Sequence, residues 1–369
     1  MNVSEHQKAA RLFAGIRNYE DLFVENEPAI STLQGGLINH SYKVLVKNKA
    51  PFLLQQINHH VFKTPDDVQS NYLQLWNFTK QQEVALQLPE PLFISDQQTL
   101  HHSKEGNTWR AFKFIEKTES YKVAHWPDQA YSTAQTFAKF TAAFSEFDSS
   151  TLKTTIPKFH NLSFRYSEFD TALQFASADR LQQAGDLIKA ITERIHYKNF
   201  FDQLQNKPAL FKKRVMHHDA KIANVLFEEE SGNVICAVDF DTVMPGYYFS
   251  DLGDMIRSMS CNEDETSVYF DKIAIRKDFY EAIVSGYLSV MQEELTKEEV
   301  EVIHHSGIIM IYMQAIRFLA DYLNKDQYYR ITYPDQNLHR AKNQLLLLQS
   351  LEQLLEDEYS YSIKPSVLA

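Results

Sequence analysis

The sequence predicts a mixed α+β protein with a small β-rich amino-terminal lobe and a larger, mostly α-helical carboxy-terminal lobe. At 369 residues the chain is too long for one simple core and long enough for two lobes. Short strand-like segments are concentrated near the amino terminus. From about residue 127, apolar residues recur mainly at helical spacing instead. We place the two lobes at residues 1–117 and 118–369.

The amino-terminal lobe is predicted from three short segments at residues 29–33, 41–47 and 52–57. In the second segment, apolar and polar side chains alternate, as is typical of a half-buried antiparallel strand. Further strands are expected at 91–95 and 109–115. Together these segments indicate a small antiparallel sheet.

Helix starts are marked by capping residues. Thr64 suits an N-cap and Pro65 suits the first helical position. Pro127 begins a second predicted helix. Near the carboxyl end, Thr296 and Glu299 have the spacing of a capping box, which we expect to open one of the longest helices.

Composition and charge exclude several classes of protein. The net charge is −11 and no basic run is longer than Lys212–Arg214, so the basic stripe of a nucleic-acid-binding protein is missing. The two cysteines, Cys236 and Cys261, cannot form a disulfide framework. The amino terminus has no secretion-signal pattern, and the apolar segment 307–320 is too short to span a bilayer. We therefore expect a cytoplasmic enzyme or binding protein with no nucleic-acid or membrane partner, and a homo-oligomer stays open.

The most informative segment is a His-x-Asp motif at His217 to Asp219, with Asn224 five residues after the aspartate. A second apolar segment ends in Asp239 and Asp241, and Asp239 follows Asp219 by twenty residues. Phosphoryl transfer needs a carboxylate that orients the attacking hydroxyl and accepts its proton. It also needs Mg²⁺ on the ATP phosphates, and Mg²⁺ prefers oxygen ligands. The motif therefore indicates phosphoryl transfer from Mg·ATP, with Asp219 as the base.

Each part of this motif also has a simpler interpretation. A single His-x-Asp is common, and Asp-x-Asp after a strand is usually a turn. The evidence for phosphoryl transfer is that the His-x-Asp, the asparagine and the later aspartates occur together. We interpret His217 as structural, whereas Lys221 is equally consistent with a γ-phosphate contact and a solvated loop lysine.

Most of the chain resembles the aminoglycoside phosphotransferase and choline kinase superfamily, which has a protein-kinase-like fold. Within it, the sequence is most similar to N-acetylhexosamine 1-kinases, which phosphorylate the anomeric hydroxyl of N-acetylglucosamine or N-acetylgalactosamine. The segments that carry this likeness are Gln34–Asn39, Phe52–Asn58, Asp239–Arg257 and Arg317–Leu323.

The resemblance implies a role for each matching residue of the catalytic segment. Asp219 would be the base, and Asn224 and Asp239 would be the magnesium ligands. Asp241 would be a further metal or substrate contact. The implied cofactors are ATP and Mg²⁺, and the implied partner is a small sugar.

The resemblance also implies where the nucleotide binds. The turn at Gly35 and Gly36 would lie near the phosphates. Residues 112–117, with Phe114 and Ile115, would form a hinge between the lobes whose backbone binds the adenine.

Substrate contacts are implied at two places. Asn39 and His40 end the glycine turn and would lie near the sugar. Arg317 and Asp321 share a helix face, so they either form a simple ion pair or line the sugar pocket. Asp251 and Asp254 lie at the predicted start of a helix, where we interpret them as acids that favour the helix dipole, with direct metal contact as the alternative.

The sequence departs from the kinase pattern in its third strand. Where protein kinases place a phosphate-pairing lysine, this chain has Gln55 and Gln56. Either a glutamine substitutes weakly, or Lys43, Lys63 or Lys113 supplies the charge.

Three functions remain open at this stage. The first is a sugar 1-kinase, which the flanking segments favour. The second is a kinase of an amine such as choline or an aminoglycoside, for which the acidic balance would allow a cation pocket. The third is a pseudokinase that binds a ligand without turnover, which the missing lysine and the sparse glycine turn suggest.

Overall fold

The structure is a computed structural model that describes residues 4–15, 27–33 and 38–361. The chain forms two compact units. The first contains Met1–Glu119, Ser150–Pro157 and Phe227–Val243, and the second contains Ser120–Ser149, Lys158–Leu226 and Met244–Ala369. The predicted α+β class is confirmed, because the first unit carries a small antiparallel sheet and the second is mainly helical.

The first unit is built on a five-stranded antiparallel sheet with two helices. Its elements are α1 (Glu5–Phe13), β1 (Ala29–Thr32), β2 (His40–Leu45), β3 (Phe52–Ile57), α2 (Pro65–Gln81), β4 (Leu100–His102) and β5 (Thr108–Lys113). The strands lie in the order β1-β2-β3-β5-β4. Phe52, Leu54 and Trp109 of the sheet are buried in one cluster with Phe13 of α1. The three predicted amino-terminal strands are thus confirmed, with α1 contributing to their core.

One predicted strand is wrong. Residues 91–95 make only isolated bridges, from Pro91 to Phe112 and from Ser95 to Gln98, and the regular strand lies further along the chain at β4. Pro91 has no N–H to donate, and its pairing with β5 does not extend beyond a single bridge.

A three-stranded sheet leads into the Asp239 segment. Its strands are β6 (Thr118–Glu119), β8 (Val225–Glu228) and β9 (Val234–Ala237), in the order β6-β8-β9. β6 pairs antiparallel with β8, with Thr118 opposite Glu228. β9 ends two residues before Asp239, which therefore lies beyond the ladder.

The second unit is mainly helical. Its elements are α3 (Pro127–Ala143), α4 (Leu162–Phe175), α5 (Ala178–Gln183), α6 (Gly185–Glu193), α7 (Ile195–Gln205), β7 (Arg214–Met216), β10 (Met244–Gly246), α8 (Phe249–Met259), α9 (Lys277–Met291), α10 (Lys297–Glu301), α11 (His305–Leu323) and α12 (Gln336–Tyr359). α11 packs against several other helices, including α4, α8 and α12, and α3 packs against α9. Nearly all residues of α11 are buried, as its apolar composition requires. No helix within the described ranges combines the length and apolarity needed to cross a membrane.

The capping box at Thr296 is confirmed, although the helix that it opens is short. The amide of Glu299 donates to the Thr296 hydroxyl at 3.1 Å, and the Thr296 amide donates to the Glu299 carboxylate at 2.9 Å. The expected long helix was wrong, because α10 has only five residues. Glu299 is buried and also pairs with Arg214 at 2.8 Å, so the box ties β7 to α10.

Candidate active site

Asp219 lies on the loop between β7 and β8, and neighbouring side chains fix its carboxylate. Lys221 Nζ lies 2.8 Å from both carboxylate oxygens. Asn224 Nδ2 donates to Asp219 Oδ2 at 2.8 Å and to its backbone oxygen at 2.9 Å. Asn224 ends a single 3₁₀ turn, Ile222–Asn224, which brings its amide back to the aspartate. The loop therefore holds its carboxylate in one orientation.

The ion pair with Lys221 keeps Asp219 ionised. Burial by itself would raise the pKa of Asp219, but Lys221, His217 and Asn224 together outweigh it and lower that pKa. The side chain is one-quarter exposed, so a reacting group can reach it. Lys221 thus pairs with the base itself, a contact that was included neither in the γ-phosphate interpretation nor in the solvated-lysine interpretation.

Asn224 has the right chemistry for its predicted metal role. Its amide nitrogen is directed to Asp219, which leaves Oδ1 as the atom that could coordinate a cation. Amide and carboxylate oxygens are ligands that Mg²⁺ prefers. Asn224 and the predicted ligand Asp239 each offer such an oxygen, so the chemistry of either side chain suits a magnesium ion.

Asp251 of α8 anchors the catalytic loop by its backbone. The fully buried carboxylate accepts the amide of His217 at 2.9 Å and that of His218 at 2.7 Å. His218 has a φ of 63°, a left-handed conformation that costs energy for a residue with a side chain. Burial raises the pKa of Asp251 to about 7, although the two amides lower it. Asp251 therefore does more than favour a helix dipole, since it holds the two residues before the base.

His217 packs inside the second unit, in agreement with the structural interpretation. Its ring lies edge-on to Phe137 of α3, with 4.9 Å between ring centroids. The amide of Asp219 donates to His217 Nδ1 at 3.3 Å. The histidine thus supports the loop from the side opposite to solvent.

His218 forms a buried pair with His160 beside the base. Their Nδ1 atoms are 3.3 Å apart, and the two rings are inclined at 63°. Burial lowers the pKa of His218 to about 3, with His217 adding to the effect. Burial, and then the charge of His218, also lower the pKa of His160 well below its ordinary value. Both rings are therefore neutral at neutral pH. Sequence reasoning did not single out His160, since it is 58 residues from its partner.

The buried histidine pair predicts acid lability. The unfolded chain protonates these rings near pH 6.5, but the folded His218 ring does so only near pH 3, so the unfolded state binds more protons between these values. The contribution of each ring to stability should therefore fall as the pH falls through this window, by up to about 1.4 kcal/mol per pH unit. Denaturant unfolding between pH 6.5 and 4.5 measures it. A His218→Asn variant should show the weaker slope, and an equal slope would contradict the assignment.

Gly246 of β10 touches His218. A Cβ atom at this glycine would lie 2.4 Å from His218 Cε1 and 2.5 Å from its Nε2. Gly246→Ala should therefore displace the ring and lower kcat, with a stability loss of about 1–3 kcal/mol from overpacking. Gly185→Ala is the matched control, because no heavy atom lies within 4 Å of its Cβ position. Steady-state rates and thermal unfolding of both variants test this, and equal behaviour would refute it.

The backbone bends at Asp239. This residue is exposed and has a φ of 65°, and the next three residues, Phe240–Thr242, form a 3₁₀ turn. Residues two positions apart share a face in an extended strand, and this bend instead gives Asp239 and Asp241 different environments. Asp241 is buried, and its Oδ2 accepts a hydrogen bond from Asn39 Nδ2 at 2.7 Å. The structure thus brings together two residues predicted for the substrate site, whereas His40 begins β2 and is exposed.

Arg110 of β5 contributes a positive charge beside Asp241. Sequence reasoning did not identify this residue. Its Nη2 donates to Asp241 Oδ1 and its Nε donates to Gln55 Oε1 at 3.1 Å. The signal was an arginine in the middle of a strand whose neighbours are apolar. Of the lysines considered for the missing charge, Lys43 lies over the Phe114 ring at 4.3 Å.

The predicted nucleotide residues are partly described. Phe114 and Ile115 line a cavity of about 380 Å³ in the first unit, together with Trp76 and Lys80 of α2. Gly35 and Gly36 lie outside the described residues, so the glycine turn stays a prediction.

Arg317 and Asp321 both line a cavity of about 310 Å³ in the second unit. Asp321 accepts the amides of Tyr328 at 2.8 Å and Tyr329 at 2.9 Å, and so caps the turn after α11. Arg317 donates to Gln314 at 3.0 Å and lies 5.5 Å from the Tyr329 ring centroid. The two residues have these other partners, and among the described ion pairs they do not join each other.

The fold and this site together define a phosphotransferase with a protein-kinase-like architecture. Residues 29–288, well over half of the chain, match the sequence model of the phosphotransferase enzyme family, APH. The chain belongs to this family.

Solved structures with the same fold include several small-molecule kinases. An aminoglycoside phosphotransferase from Alicyclobacillus acidocaldarius is 13% identical, with a TM-score of 0.61 over 92% of this chain and 97% of that one. A choline kinase from Cryptosporidium parvum is 12% identical, with a TM-score of 0.56 over 99% and 100%. Amicoumacin kinase hAmiN, solved with AMP-PNP, Ca²⁺ and Ami, is 11% identical, with a TM-score of 0.55 over 86% and 87%. At these identities the likeness establishes the fold alone.

Proposed function

We propose that the protein is an ATP- and Mg²⁺-dependent kinase that phosphorylates the anomeric hydroxyl of an N-acetylhexosamine. Asp219 orients that hydroxyl and accepts its proton as the oxygen attacks the γ-phosphorus, while the bond from the γ-phosphorus to the bridging oxygen breaks and ADP leaves. Asn224 and Asp239 would each offer an oxygen ligand to magnesium, and the ion would supply positive charge that offsets the charge of the phosphates. ATP as the donor is supported by the AMP-PNP in the related amicoumacin kinase.

The main support for a hydroxyl acceptor is the state of Asp219. A base must be ionised before it can take a proton, and Lys221 keeps the pKa of Asp219 low. One-quarter of the Asp219 side chain is exposed although it is paired with Lys221. Asn224 fixes the Asp219 carboxylate directly, and Asp251 fixes the backbone of the loop that precedes it. A fixed carboxylate is needed to position an attacking oxygen.

The observation that favours a neutral, hydroxyl-rich acceptor is the charge of the cavity at Arg317. Both carboxylates that line it are already engaged, since Glu168 pairs with Arg165 at 2.8 Å and Asp321 accepts two backbone amides. Arg317 adds a guanidinium whose donors suit hydroxyl and acyl oxygens. A cationic amine would meet two arginines and no uncommitted carboxylate among these lining residues.

A chain of ring contacts joins this cavity to the catalytic loop. Arg317 lies 5.4 Å from the Phe159 ring, and Phe159 stacks on His160 with 4.4 Å between ring centroids. His160 in turn contacts His218, the residue before Asp219. Aromatic surfaces of this kind pack well against the apolar face of a sugar. The sequence segments that resemble hexosamine kinases point to the same acceptor.

The acceptor class is tested by measuring ADP release with a panel of compounds. N-acetylglucosamine or N-acetylgalactosamine should support turnover, and their 1-O-methyl glycosides, in which the reacting hydroxyl is blocked, should not. Choline and an aminoglycoside should be poor acceptors. Preference for either amine would favour the amine-kinase alternative, and turnover with none of the compounds would favour a pseudokinase.

Removal of the Arg317 guanidinium should weaken acceptor binding specifically. Arg317→Met is expected to raise KM for the hexosamine about tenfold or more, because hydrogen bonds to a charged group are lost, with KM for ATP unchanged. Arg340→Met is the control, since Arg340 also lies over an aromatic ring, 5.5 Å from Phe318, but does not line the cavity. Equal KM values in the two variants would contradict the assignment.

A further inference from the structure

A buried ion pair in the first unit joins the sheet to the segment that carries Asp239. Arg110 on β5 is 3% exposed and Asp241 is 2% exposed, and Arg110 Nη2 donates to Asp241 Oδ1. Because guanidinium groups stay protonated in proteins, this buried charge needs a carboxylate partner. The pair is 131 residues apart in sequence, so it is a contact of the fold and not of a local turn.

The arginine is held in place by the strand beside it. Gln55 lies directly opposite Arg110 in the β3–β5 ladder, and its Oε1 accepts from Arg110 Nε at 3.1 Å. Gln55 Nε2 donates to Ser41 Oγ on β2 at 3.1 Å. Gln55 stands in the third strand, where protein kinases have a lysine. It orients Arg110, a cation that β5 supplies.

The second oxygen of Asp241 is also committed. Asn39 Nδ2 donates to Oδ2 at 2.7 Å, while Asn39 Oδ1 accepts the amide of Asn58 at 3.0 Å. Asn58 Nδ2 closes the arrangement by donating to the Ile38 carbonyl at 3.1 Å. Arg110, the donor to Asp241 Oδ1, is thus fixed by Gln55 of the sheet. Asn39, the donor to Oδ2, is fixed by Asn58, which follows β3.

These contacts act on the conformation of Asp239. A left-handed backbone is uncommon for a residue with a side chain, although aspartate adopts it more often than most, and contacts of the neighbouring turn help to hold Asp239 there. Asp241 lies in the single 3₁₀ turn that follows, and the pair with Arg110 fixes that turn to the sheet. Tyr72 of α2 packs on Phe240 in the same turn, with 5.5 Å between ring centroids.

We propose that Arg110 is a positioning residue for metal binding. Through Asp241 it holds the Asp239 backbone in the conformation that presents the Asp239 carboxylate, and Asp241 itself contacts neither metal nor substrate. This inference rests on the proposed function, because it takes Asp239 as a metal ligand. It reassigns Asp241, which the sequence had suggested as a metal or substrate contact.

The test measures Mn²⁺ binding to the protein with AMP-PNP by electron paramagnetic resonance, a readout that needs no turnover. Arg110→Met and Asp241→Asn should each weaken Mn²⁺ binding by about 10–100-fold, as is usual when a residue supporting a metal ligand is lost. The double variant should bind no more weakly than either single one, because both changes break the same pair. Arg110→Lys should recover part of the affinity.

A matched control separates metal positioning from general stability. Arg180 forms an ion pair with Asp326 in the second unit, at 2.8 Å, and neither residue is a proposed metal ligand. Arg180→Met should lower the thermal unfolding temperature and leave Mn²⁺ binding unchanged. If either single variant in the first unit fails to fold, Arg110→Lys and the double variant, which leaves no unpaired charge, decide the question.

Several results would overturn the proposal. If Asp241 binds the metal directly, Asp241→Asn will weaken Mn²⁺ binding, but Arg110→Met will leave it unchanged or strengthen it. If Arg110 binds phosphate, Arg110→Met will weaken AMP-PNP binding without metal, and Asp241→Asn will not. Folded variants with wild-type Mn²⁺ affinity would also refute it. A wild-type protein that does not bind Mn²⁺ with AMP-PNP would overturn the proposed function as well, whereas normal metal binding without sugar turnover would overturn only the acceptor.

Discussion

Asp219→Asn is expected to lower kcat by about 10²–10⁴-fold, the usual contribution of a positioned base. Asparagine keeps the size of the side chain and can still accept from Lys221, but it cannot take a proton. The nucleotide should bind as before, because the substitution alters the group that acts on the acceptor. Acceptor KM should change less than kcat for the same reason.

Steady-state kinetics and AMP-PNP binding of this variant are the measurements. Asp202→Asn is the control, because Asp202 also pairs with a lysine, Lys198, at 2.7 Å, but on the surface of α7. It should retain wild-type rates. A kcat for Asp219→Asn within threefold of wild type would exclude Asp219 as the base.

Asp251→Ala should affect both stability and turnover. The change leaves the amides of His217 and His218 buried without an acceptor, which costs about 1–3 kcal/mol for each. The left-handed backbone of His218 then loses its restraint, so Asp219 is no longer held in place and kcat falls. Denaturant unfolding and kcat measure the two effects.

Asp278→Ala distinguishes an anchor from a dipole effect. Asp278 is an exposed acid in the first turn of α9, so its loss should cost only about 0.3–1 kcal/mol. If Asp251 acted only on the dipole of α8, the two variants would lose similar stability and both would keep their kcat.

The sequence was sufficient where the signal is local. The strands at β2 and β3 follow from alternation and apolar runs within six residues each. Asp219 and Asn224 are five residues apart, and a single 3₁₀ turn brings them together, so spacing alone could pair them.

The sequence was insufficient where a partner comes from a distant element. Nothing near Asp251 indicates that its carboxylate accepts amides 33 and 34 residues earlier. Arg110 could be recognised as unusual on an apolar strand, but its partner Asp241 depends on how the 3₁₀ turn packs against the sheet. Arg317 and Asp321 illustrate the converse, because helical spacing suggested a pair and the turn after α11 offered Asp321 better donors.

The central claim is that the protein transfers a phosphoryl group from ATP to the anomeric oxygen of an N-acetylhexosamine. Phosphorus NMR of a reaction with Mg·ATP and N-acetylglucosamine or N-acetylgalactosamine tests it most directly. We expect ADP together with a new phosphomonoester signal that is coupled to the anomeric proton of the sugar. A phosphate ester at another position, or no sugar phosphate from any amino sugar, would contradict the claim.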